Sequence, residues 1–245
     1  MNLQSIFKSI FLRPPVLKQI VPCCGAAALG LYRLLFAIGM DGRGLLKSGH
    51  FTWVLLCILS IAVGVVILTS TAGIPQGDSR FRRSVPAAAC CALAAVSGLF
   101  TGLGCLWNGQ LAYAIGAMLA AAGFVAVAFC RFMGRRPNFL MHAVICIHFI
   151  LQLLKLYQHS SFDPQIQDYL FQILAIIALA FTAYLLASAD LGRGSRRWLW
   201  VAGMSAVYLC ILSLGSTDTG LFLTGAAWAF TTLMLPMRKR ERANH

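Results

Sequence analysis

LAYAIGAMLAAAGFVAVAFCRFMGRR, residues 111–136, decides how this chain folds. Residues 111–130 carry no charge, and Arg131, Arg135 and Arg136 follow at once. An uncharged, apolar run of about 20 residues is the length that crosses a bilayer core of about 30 Å as a helix. A cluster of arginines directly after it marks the end that stays in the cytoplasm.

The same pattern repeats along the chain. Of its 245 residues, 59% are apolar and only 11% are charged. Soluble domains carry about 25% charged residues. With a mean hydropathy of +0.78, the chain requires lipid as solvent. Further apolar segments cover 21–40, 51–73, 87–107, 138–157, 166–188, 198–214 and 217–236, with 198–214 the shortest. The spacing predicts an all-α, polytopic bundle of eight transmembrane helices.

Charge position tests that count. Lys8, Arg13 and Lys18 precede the first segment, and Arg80, Arg82 and Arg83 separate the second from the third. Arg193, Arg196 and Arg197 follow the sixth, and Arg238, Lys239, Arg240 and Arg242 follow the eighth. With the three arginines after residue 130, eight spans place all of these on one side. Arg43, Lys47 and Lys155 fall on the other. The positive-inside rule then puts both termini in the cytoplasm. Adding or removing one span scatters the clusters to both faces.

The net charge of +13 therefore reads as a topology device. No basic motif interleaved with aromatic residues points to nucleic acid. The partners expected are membrane lipids, including anionic headgroups at the cytoplasmic face, each cation contributing about 1 kcal/mol.

Three regions are expected. Residues 1–20 hold an apolar stripe at helical spacing, Leu3, Ile6, Phe7, Ile10 and Phe11, with Lys8 opposite. This fits a short amphipathic helix on the cytoplasmic face, ended by Pro14-Pro15. A small-residue signal cleavage site is missing there. Residues 21–236 form the transmembrane domain, and 237–245 a basic cytoplasmic tail. The two halves share a rhythm of loop lengths without residue-level similarity, so a duplication is not established.

Nine cysteines lie in or beside apolar segments and read as packing residues. Adjacent pairs such as Cys90-Cys91 point about 100° apart on a helix and do not grip one ion. Gly98 and Gly102 have GxxxG spacing, which suits close packing within the bundle or, less readily, a homo-oligomer face.

The polar residues within the spans are the candidates for function. An unpaired arginine in the membrane, as at Arg33, costs about 3 kcal/mol on insertion scales. Asp41 is eight positions on, reachable if the helix unwinds near Gly39 and Gly42. His148, Gln152, Lys155 and His159 recur on one helical face. The next segment opens DPQIQDYLFQ, residues 163–172. Pro164 suits a first turn and Asp163 a cap. Gln165, Asp168, Tyr169 and Gln172 then form a second polar stripe. Lys155 and Arg33 are both claimants for Asp168. Arg33, Asp41, His148, Gln152, Lys155, Asp163, Asp168 and Gln172 thus define an outward-facing polar cluster. It either binds a small ligand or holds three helices together.

No catalytic residue is expected. HExxH, GxSxG, P-loop and GxGxxG fingerprints are missing from the sequence. His142, near the start of its span, lacks the partners that two haems need. Asp163 and Asp168 stand on different helical faces, so no metal or other cofactor is expected.

The stretches YRLLFAIGMDGRGLLKSGH (32–50) and DPQIQDYLFQ resemble a group of small bacterial multi-spanning membrane proteins of unassigned activity. The resemblance covers less than half of the chain and implies location in the bacterial inner membrane. The favoured expectation is a non-enzymatic membrane protein that binds a small ligand or partner through the outer cluster. A transporter of a small solute or ion using the same residues is the main rival. A membrane enzyme acting on lipid or isoprenoid comes third.

Overall fold

A computed structural model describes residues 14–39, 51–71, 80–81, 84–160, 166–215, 218–234 and 237–238. The described residues form eight α-helices: α1 Pro14–Gly39, α2 Phe51–Ser70, α3 Val85–Trp107, α4 Leu111–Met133, α5 Phe139–Ser160, α6 Ile166–Asp190, α7 Arg196–Leu212 and α8 Thr219–Met234. α3, α4 and the 139–158 and 169–190 stretches of α5 and α6 are long and apolar enough to cross a membrane. Shorter apolar stretches lie within α1 (Ile20–Arg33) and α2 (Val54–Ser70). α7 and α8, at 17 and 16 residues, rise only about 25 Å each.

The boundaries follow local chemistry. Pro14 and Pro15 open α1, since the first turn needs no amide donors. Residues 1–13, where an amphipathic helix is expected, lie outside the described residues. Ser84 caps α3 by accepting from the Ala87 amide at 3.4 Å. α4 ends at Gly134, whose φ of 69° is the left-handed conformation that glycine adopts without penalty. Between α6 and α7, a Cβ on Gly194 would lie 2.5 Å from the Ala189 Cα, so only glycine closes this turn.

α3 to α8 pack in sequence order, and α8 returns to α3, closing a six-helix ring. α1 lies outside the ring against α7, and α2 packs on α1 and touches α7. α3, α5 and α7 begin at one end of the ring, where α4 and α6 finish with Arg131, Arg135, Arg136, Arg193, Arg196 and Arg197 nearby. We call this the basic end.

Large apolar side chains such as Ile61, Leu93, Phe100, Leu119 and Phe129 cover the outside, each more than half exposed. No soluble surface tolerates that display, whereas lipid does. Small residues pack the inside. The α3–α4 contact runs through Gly98 and Gly102, where an added Cβ would sit 3.5 Å from Ala121 Cβ and 3.2 Å from Met118 Cγ. The GxxxG face therefore serves packing within this chain. At the centre Trp228 meets Phe124 edge-on at 5.6 Å and lies 6.0 Å from Phe149. A second core gathers Val21 and Ala28 of α1, Leu56 and Val63 of α2, and Met204 and Tyr208 of α7. There Ser60 and Tyr208 share a hydrogen bond of 3.0 Å.

At the basic end, Arg80–Phe81 pairs antiparallel with Met237–Arg238, Arg80 facing Arg238. The connection between α2 and α3 and the tail after α8 therefore meet.

Candidate functional site

α5 carries several buried polar groups. His148 and Gln152 stand one turn apart and are 2% and 6% exposed. Among the described residues, His148 Nδ1 and Gln152 Nε2 have no hydrogen-bond partner. A polar group stripped of water without a partner costs about 1–3 kcal/mol. Two on one face of one helix are thus an unusual expense for a packing interior. His148 lines a cavity of about 10 Å³ together with Ser97 and Gly98 of α3, Phe124 of α4, Phe149 of α5 and Thr224 of α8.

Further along α5, away from the basic end, Lys155 Nζ reaches Cys105 Sγ of α3 at 3.4 Å. Beyond it the Tyr113 hydroxyl donates to Gln158 Oε1 at 2.9 Å, tying α4 to α5.

The basic end holds a cluster absent from the expectation. His142 Nδ1 lies 2.6 Å from Asp190 Oδ2, with the two side chains 0% and 4% exposed. Arg131, 3% exposed, lies within electrostatic reach of both Asp190 and Cys91. α4, α5 and α6 each contribute one charged or ionisable group, at the last turn, first turn and last residue respectively. Such a cluster pins three consecutive ring helices at one level.

The expected outer cluster is placed as follows. His148 and Gln152 face the ring interior together, and Lys155 follows on α5. Gln172 is half-buried on α6. Arg33 is exposed on α1, next to Tyr32, whose ring meets Phe171 of α6 edge-on at 6.2 Å. α1 itself packs on α7 and α2. Asp41 and Asp163 lie outside the described residues, as does the side chain of Asp168, whose backbone is in the first turn of α6.

Arg131, His142 and Asp190 are the residues that reasoning from sequence passed over. One signal was available. A helix C-terminus carries partial negative charge and disfavours a carboxylate. Asp190 ends α6 all the same, among arginines, in a chain with only seven acidic residues.

No family model matches this chain, and neither a curated protein nor a solved structure does.

Proposed function

We propose that this chain is a non-enzymatic, multi-pass protein of the bacterial cell membrane that binds a small polar ligand inside its six-helix ring. In this reading all eight helices span and both termini are cytoplasmic. The distribution of lysine and arginine supports that orientation. The pairing of Arg80–Phe81 with Met237–Arg238 supports the even count, because both segments must lie on one side. Anionic headgroups then meet the arginines of the basic end.

The observation that carries the binding proposal is the buried pair His148 and Gln152, each with a polar atom that no described residue satisfies. Ionisable and polar groups within a membrane are functional candidates for this reason. The outward-facing cluster expected from the sequence is, in this proposal, the approach to that interior.

A second reading, transport of a small solute or ion, draws on one further observation. Polar groups occur at three levels of α5: His142 at the basic end, His148 and Gln152 in the middle, and Lys155 beyond.

One experiment tests both. Gln152→Cys is introduced into a chain whose nine native cysteines are replaced, and a small charged thiol reagent is applied to intact cells and to inverted vesicles. Reaction from outside alone supports binding. Reaction from both sides supports transport. A thiol inert from either side, in protein that purifies as a single species, removes both readings.

A further inference from the structure

Size and chemistry together limit what the ring interior accepts. The cavity of about 10 Å³ beside His148 is at the lower limit for one water molecule, about 10–15 Å³. Its lining residues include His148, Ser97 and Thr224, and no Asp, Glu, Lys or Arg. A bare ion would lose its hydration there without a counter-charge, and a buried unpaired charge is the costliest arrangement a protein interior can hold. A buried water needs two to four polar partners. Three side chains of the lining offer them. The Thr224 hydroxyl donates to Gly220 O at 2.8 Å, which leaves its oxygen as an acceptor. Ser97 Oγ brings a donor and an acceptor. His148 Nδ1, in a side chain 2% exposed, has no partner among the described residues.

We propose that this cavity is a binding site for a single water molecule held between His148 Nδ1 and the hydroxyls of Ser97 and Thr224. The inference rests on reading the ring interior as the binding site and names its ligand class: a neutral, water-sized hydrogen-bonding molecule. A larger solute does not fit beside His148 with the ring closed. The water links α5 to α3 and α8 across the ring.

The test is water-edited solid-state NMR on the full chain in lipid vesicles. Ile147–His148 is the only Ile–His pair in the sequence, so labelling carbonyl carbon in Ile and nitrogen in His assigns His148 without a substitution. The expected result is magnetisation transfer from water to the His148 ring. Thr224→Val and Ser97→Ala together should lose that transfer, while Thr224→Ser should keep it. Unchanged unfolding midpoints show that the variants are folded, and either single substitution replaces the double one if that misfolds. A His148 ring with no water transfer overturns the site. So does transfer that persists undiminished without the two hydroxyls. Reagent access in the Gln152→Cys variant reads the binding proposal separately. A water contact at His148 combined with an unreactive thiol in that variant leaves a bound structural water and overturns the site as a ligand-binding interior.

Discussion

Asp190→Ala removes the carboxylate that faces both His142 and Arg131. The side chains of Asp190 and His142 are 4% and 0% exposed, and Arg131 is 3% exposed, so solvent does not compensate any of them. Removing one partner from a buried pair typically costs about 3–5 kcal/mol, because the remaining charge stays buried. For chains of 150–250 residues each kcal/mol moves the thermal midpoint by about 2–4 °C, so the shift expected is on the order of 10 °C. Asp190→Asn keeps an oxygen for His142 but withdraws the charge from Arg131, and about half of the shift should remain. His142→Ala leaves Asp190 facing Arg131 and should cost less than Asp190→Ala. The double variant should be more stable than the two single losses summed, with a coupling of about 0.5–3 kcal/mol. The chain supplies its own reporter. Cys91 and Cys210 are 2% and 0% exposed and free, so a maleimide that fluoresces on reaction reads unfolding as the protein is heated in detergent. A midpoint for Asp190→Ala within about 2 °C of the parent, or single losses that simply add, would refute the cluster as a joint between α4, α5 and α6.

Three further outcomes follow from other parts of the fold. Cysteines at Arg80 and Arg238, in a chain without native thiols, face each other across an antiparallel pair and should form a disulfide under mild oxidation, since Cα atoms there are about 4.5–5.5 Å apart; no cross-link would separate the α2–α3 connection from the tail. Gly194→Ala places a methyl 2.5 Å from the Ala189 Cα and should sharply lower the yield of monodisperse protein, whereas Gly104→Ala, with open space around it, should not. Trp228→Ala empties the ring centre between Phe124 and Phe149 and should cost about 3–5 kcal/mol, read by the same thiol dye.

The helices were legible because lipid as solvent imposes a length on them. The expected segment 87–107 becomes Val85–Trp107, 166–188 becomes Ile166–Asp190, and 217–236 becomes Thr219–Met234. Turn chemistry also fits the end of α3: Asn-Gly is a turn pair, and Gly109 has a φ of 72°. The ring was not legible. Which helix neighbours which depends on small-residue faces, and alanine and glycine are spread over α3, α4 and α8 in patterns that suit several pairings. Closure of α8 onto α3, with α1 and α2 left outside, is set by residues far apart in sequence, such as Gly220 beside Ser97. Periodicity within one segment carries no information about that.

The interior site was half legible for a related reason. His148 and Gln152 stand on one helical face, and spacing alone reveals that they share it. What spacing cannot reveal is which neighbour the face meets; Arg33 and Asp168 are joined to it by charge alone. The cluster at the basic end was hidden for a different reason. Arg131 counts among sixteen cations explained by topology, and a rule that accounts for a whole cluster hides the member that does something else. Arg135 and Arg136, a turn beyond the last buried position of α4, are exposed as the rule expects. Arg131 sits at a buried position of α4, where a cation is tolerated only beside an anion. A buried arginine thus requires a carboxylate at its own level. Among the described residues, Asp190 is the acid that the fold brings there, at a helix end where the dipole alone would reject it. The two unfavourable placements offset each other, and that is why neither stands out when the residues are read one at a time.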